Sequence, residues 1–301
     1  MGHIITDLKE TFRRGNIFIQ LIYINVSIFI IGTLINVFLQ LFQHSIPDIF
    51  GIFALPASFI RFFHQPWSII TYMFMHAGLL HILFNMLWLY WFGSLFLHFF
   101  SAKHLRGLYI LGGILGGLLY MVAYNVFPLF NQEVAVSTLV GASASVLAIV
   151  AATAYREPNY RVQLFLFGAI RLKYLALVVI GIDILSITSS NAGGHIAHLG
   201  GALAGLWFAA SLSKGADLTA WINWLLDAFI SLFQKKTWKH KPKMKVHYGG
   251  STTSREKDYD YNAHKKAQFD EIDRILDKLK KSGYDSLTTE EKKSLFDASK
   301  R

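Results

Sequence analysis

The run Ile17–Phe42, IFIQLIYINVSIFIIGTLINVFLQLF, carries no charge, and none appears between Asn16 and Pro47. It exceeds the ~20 apolar residues needed to cross a bilayer. It is too long for a signal peptide and lacks a small-residue cleavage site, so it reads as a membrane span. Five further apolar stretches follow, at about 76–100, 105–127, 138–155, 172–188 and 193–213.

The charges fall between these stretches. Lys9, Arg13 and Arg14 precede the first, Lys103 and Arg106 part the second from the third, and Arg156, Arg161, Arg171 and Lys173 part the fourth from the fifth. The alternate loops hold Arg61 or no cation at all. Because Lys and Arg accumulate in cytoplasmic loops, the pattern predicts six spans with both termini inside. The first outer loop, from Gln43 to about Met75, is rich in Phe and contains Trp67. It is expected in the interfacial zone, where aromatic side chains anchor.

Composition agrees with a membrane domain followed by a charged appendage. Hydrophobic residues make up 53% of the 301 residues and charged residues 16%, against roughly 25% charged in soluble domains. Residues 1–213 hold 10 of the 29 Lys and Arg and 6 of the 19 Asp and Glu. The remainder lie in the last 88 residues. That division excludes a uniform globular protein, a coiled coil and a disordered chain. With no cysteine present, disulfide scaffolds, Cys-ligated metal sites and a cysteine nucleophile are excluded as well.

Polar groups inside spans are costly and mark functional candidates. His81 and Asn85 lie four apart on the second span, Ser143 follows Gly141-Ala142 at the start of the fourth, Asp183 lies in the fifth, and His195 and His198 open the sixth. Helix rise, counted from the nearest cytoplasmic cation, gives each a depth of about 20 Å (Ser143), 24 Å (His198), 27 Å (Asn85) and 33 Å (His81). All four reach one outer-leaflet layer. The same ruler puts Asp183 at about 15 Å, deeper in the membrane. No carboxylate is therefore expected beside the histidines, and a Ser-His dyad is expected rather than a triad. Gly201 and Gly205 follow His198 on its face, and small residues let membrane helices approach closely. Serine needs a base, usually histidine, and an oxyanion needs fixed donors. Ser143, His198, His81 and Asn85 fill those roles.

These residues resemble the rhomboid family of intramembrane serine proteases. The likeness is carried by His81-Ile-Leu-Phe-Asn85, by the G-x-S element Gly141-Ala-Ser143, and by Ala197-His198-Leu-Gly-Gly201-Ala-Leu-Ala-Gly205, in order over residues 15–213. The resemblance implies an all-α, six-span polytopic bundle with Ser143 as nucleophile and His198 as base. His81, Asn85 and the Ser143 N–H would form the oxyanion hole, Gly141, Gly201 and Gly205 would support them, and the substrates would be transmembrane proteins. Two positions depart from the family pattern. Ala144 stands where glycine usually follows the serine, and Trp67-Ser68 stands where Trp-Arg is usual.

The remaining polar groups have plainer expectations. Ser145 is read as packing, His195 as structural or gating, His76 as a loop-boundary histidine with support of the site as its alternative, and Asp183 as an acid hydrogen-bonded within the bundle, with tuning of His198 as its alternative. A zinc site is not expected, since H-E-x-x-H is absent and no carboxylate shares the histidines' depth. No cofactor is implied. The competing functions are a non-catalytic rhomboid-like protein that binds transmembrane clients, and a transporter using Asp183, which the absence of repeats disfavours.

The expected domains are a membrane domain at 1–213, an interfacial helix and basic flexible linker at 214–262, and a small cytoplasmic helical hairpin at 263–301. Leu218–Phe233 is expected on the inner membrane surface. The lysines from Lys235 to Lys245 suit anionic lipid rather than nucleic acid. Thr288-Thr-Glu-Glu291 is a capping box opening the last helix, and a hairpin this small is expected to dock on a partner, a second copy or the bundle. The site would open to the outer side of a cell (inner) membrane.

Overall fold

A computed structural model describes residues 12, 15–42, 49–164, 168–233 and 252–299. The basic run Lys235–Lys245 and the cations Lys9, Arg13 and Arg14 lie outside them. The chain divides into two compact units, residues 1–235 and 236–301.

In the first unit a helix occupies each expected stretch. These helices are α1 (Ile17–Leu41), α5 (Leu79–Phe96), α6 (Ala102–Val126), α7 (Ser143–Arg156), α8 (Leu172–Leu185) and α9 (Ala192–Leu212). Four of them, α1, α5, α6 and α9, are long and apolar enough to cross a membrane, and the chain is a membrane protein. α7 and α8 have 14 residues each, about 21 Å of rise, short of a ~30 Å hydrocarbon core. The stretch expected to be helical from 138 instead opens as strand β2 (Thr138–Leu139). Its helix starts only at Ser143 because Gly141 takes φ +131°, a backbone that L side chains avoid.

The first outer loop forms short helices α2 (Ile49–Phe53), α3 (Phe59–His64) and α4 (Ser68–Thr71) around strand β1 (Leu55–Pro56). β1 pairs antiparallel with β2, Leu55 opposite Leu139. Trp67 Nε1 donates to the Ile52 carbonyl at 3.0 Å, and Thr71 Oγ1 donates to that of Phe53 at 2.7 Å. Ser68, at the second departure from the family pattern, is fully buried at the head of α4. The loop is thus tied to itself and to the segment just before Ser143. A second hairpin, β3 (Arg161–Leu164) with β4 (Gly168–Arg171), links α7 to α8.

α6, α7 and α9 form the centre, and glycine sets their spacing. A Cβ on Gly201 would overlap the Ala144 carbonyl oxygen, one on Gly205 that of Ala148, and one on Gly200 would lie 2.7 Å from the Leu115 oxygen. At such distances the backbones themselves are in contact, and dispersion between close-packed atoms holds the helices together.

Helix α10 (Ala220–Phe233) docks on the start of α6 through polar groups. Arg106 donates to Asn223 Oδ1 at 2.9 Å and to Asp227 Oδ1 at 2.8 Å, and Asn223 Nδ2 donates to the Lys103 carbonyl at 3.0 Å. Trp221, Trp224, Leu225 and Leu232 remain exposed on it, a face of the chemistry expected at a membrane surface.

The second unit holds α11 (Thr252–Ser282) and α12 (Thr289–Ser299). The linker boundary at 262 is corrected, since the helix begins at Thr252. Its first turns are polar and lack the apolar period that marks an amphipathic helix, so periodicity detects only the part from about Phe269 onward. The capping box is present: Glu291 N–H donates to Thr288 Oγ1 at 3.3 Å, and Thr288 N–H donates to Glu291 Oε2 at 2.8 Å. Lys278 Nζ adds contacts of 2.9 and 3.0 Å to the same carboxylate. The Lys278 bond and the Thr288 amide hold the Glu291 carboxyl down at about 2, below the ordinary ~4.3. Being depressed, the pair stabilises the hairpin fully above the unfolded value and loses its effect as pH falls from about 4 toward 2. Protection factors for amide exchange at Lys292 and Leu295, taken against the intrinsic rate at each pH, should fall over that window, and Glu291→Gln should flatten the dependence.

Candidate functional site

The site is built where three helices and one glycine turn meet. Gly141 N–H donates to the Tyr72 carbonyl at 2.9 Å, which anchors the turn to the first loop. A Cβ on Gly141 would lie 2.9 Å from Cε1 and Nε2 of His81 and 3.6 Å from Ser143 Oγ. The bare glycine backbone is therefore what allows the His81 ring to sit beside the serine. Ser143 is the first residue of α7, so its N–H is one of the helix's unpaired donors, at the positive end of the dipole.

α5 contributes two more groups. The Ala77 N–H donates to His81 Nδ1 at 3.4 Å, which places the proton of a neutral ring on Nε2, the nitrogen nearest Gly141. Asn85 is buried, and its amide donates to the His81 carbonyl at 2.9 Å, leaving a second N–H. His81, Asn85, Ser143 and His198 line one cavity of about 390 Å³, walled by Leu80, Phe84, Trp88 and Val179 and edged by Asn191 and Gly194. Ser143 and His198 share it with no hydrogen bond joining them among the described contacts. Such bonds often tighten only when substrate binds.

Asp183 requires a correction. The depth count placed it below the histidines, yet its Oδ1 lies 2.8 Å from Nδ1 of both His195 and His198. Counting rise from a cation gives depth only if the helices stand upright and their cations are level. The three groups present ligand atoms within 4.8 Å of one another, so a carboxylate does share the histidines' place in the bundle.

The other predicted positions are also placed. His76 is buried with its ring edge-on to His81 at 5.2 Å between centroids. Ser145 is buried and its hydroxyl has no partner among the described residues. Ala144 is buried, and its methyl faces Gly116: a Cβ on Gly116 would come within 2.7 Å of it and of the Ala197 carbonyl oxygen. The methyl that replaces the family's glycine is thus accommodated by a glycine on the neighbouring helix. Tyr72, whose carbonyl anchors Gly141, was not singled out in the sequence. A buried aromatic in a loop carries no chemical signature there.

A family model for the Rhomboid domain matches residues 64–215, half of the chain and all the residues named around the cavity. The Family of unknown function (DUF6576) matches residues 255–301. RHOMBOID-like protein 12, mitochondrial, of Arabidopsis thaliana is 30% identical over 157 residues, which are 49% of this chain and 47% of that protein. The chain spans about half the length of that relative. With the domain match covering α5 to α9 and the cavity between them, the chain belongs to the rhomboid family.

Proposed function

We propose that this chain is an intramembrane serine endopeptidase that cleaves membrane proteins in or near their transmembrane segments. The observation that supports it is the meeting of Ser143, His198, His81 and Asn85 around one cavity. In this reading His198 Nε2 takes the Ser143 hydroxyl proton as Oγ attacks the scissile carbonyl. The resulting oxyanion is met by the Ser143 N–H, Asn85 Nδ2 and His81 Nε2–H. Collapse breaks the C–N bond, and His198 passes its proton to the leaving amine. Water, deprotonated by His198, then hydrolyses the acyl-enzyme and restores Ser143. The apolar walls Leu80, Phe84 and Trp88 suit a hydrophobic peptide.

The same reading has six spans, both termini on the cytoplasmic side of a cell membrane and the cavity opening outward. Anionic lipid would bind at Lys235–Lys245, and the hairpin would engage a partner or a second copy. The test is a reconstituted, purified chain with a fluorophosphonate probe and a transmembrane substrate. Covalent labelling at Ser143, together with a cut mapped in or near the span, is expected. Absence of both would favour a non-catalytic protein that binds transmembrane clients.

A further inference from the structure

We propose that Asp183 is a positioning residue for the base and that His195 keeps Asp183 in place. This rests on the reading of His198 as the base of a serine endopeptidase. Asp183 is 3% exposed, and its Oδ1 receives two imidazoles at 2.8 Å. An ionised carboxylate only accepts, so both histidines carry their proton on Nδ1. For His198 that leaves a lone pair on Nε2, the nitrogen that must take the Ser143 proton. When it does, the new imidazolium lies against a buried carboxylate, where a charge-assisted hydrogen bond is strong.

His195 has a different task. Asp183 Oδ2 is buried with no partner among the described residues, so Oδ1 alone fixes the carboxylate's rotation. His195 and His198 lie three apart on one helix face, their rings 5.9 Å apart and nearly perpendicular at 82°. They reach the same oxygen from two directions. A single donor would leave the carboxylate free to swing about its Cβ–Cγ bond, whereas two donors fix it.

Asparagine at 183 can turn an N–H toward His198 Nδ1 and move the imidazole proton to Nε2, the wrong tautomer for a base. Asp183→Asn is therefore expected to lower kcat by at least about 100-fold with KM changed less than about threefold. His195→Leu should lower kcat by about tenfold, the worth of one charge-assisted hydrogen bond, and His195→Gln, which still donates, should restore most of it. Independently of any variant, 15N spectra of the histidine-labelled wild type should show His198 protonated at Nδ1. An Nε2–H tautomer in the wild type, or Asp183→Asn with unchanged kcat, would overturn the proposal. If wild type cleaves nothing and takes up no probe, the endopeptidase reading fails, while the tautomer spectrum still decides what Asp183 does.

Discussion

Replacing Ser143 with alanine is expected to reduce cleavage of a transmembrane substrate by about 10⁶-fold, the scale on which serine proteases lose activity without their nucleophile. The residual rate from the oxyanion donors alone would be too slow to detect in a membrane assay. Fold and substrate binding should persist, because Ser143 is only half-buried and its hydroxyl makes no structural bond among the described contacts. Ser145→Ala provides the control. It removes a hydroxyl that is buried without a partner among the described residues, so activity and stability should stay close to wild type. Gel-based cleavage in liposomes, with the product mapped by mass spectrometry, distinguishes the two serines. Undiminished cleavage by Ser143→Ala would remove it as the nucleophile.

Substitution of Gly205 by alanine is expected to cost the membrane unit as much stability as any overpacking change, alongside Gly201, whose Cβ would meet the Ala144 carbonyl in the same way. The added methyl would overlap the carbonyl oxygen of Ala148 on α7. Both atoms belong to helix backbones, so no side-chain rotation relieves the contact and the helices must separate. Overpacking typically costs 1–3 kcal/mol; with backbone on both sides the loss should reach the upper end, about 3 kcal/mol. Leu203→Ala on the same helix, at a side chain 60% exposed, should shift thermal unfolding in detergent far less. The Gly205 change should also lower activity, since α7 and α9 carry Ser143 and His198. Equal midpoints for the two variants would show that the α7–α9 contact is not what holds this bundle.

Much of this was readable before any coordinates. Apolar runs and the cations between them located six helices within a few residues, because the cost of burying a charge or a bare peptide group in lipid is large and local. The same cost made His81, Asn85, Ser143 and His198 conspicuous. Length along a helix, read as depth, put these four in one layer, and they line one cavity. It failed for Asp183, which meets His195 and His198 at 2.8 Å, because contact between helices does not follow from the number of residues counted along each.

Residue order and residue chemistry therefore settled the helices, the candidate nucleophile and base, and the small-residue face that brings them near. Other features arose only when separate helices were brought together. The Ala144 methyl fits because Gly116 leaves room on α6. His81 meets Ser143 because Gly141 takes φ +131° against the Tyr72 carbonyl. Asp183 joins His198 although 15 residues separate them in the chain. Burial energy acts residue by residue and is written along the chain, whereas contact distances depend on the tilt and level of every helix at once.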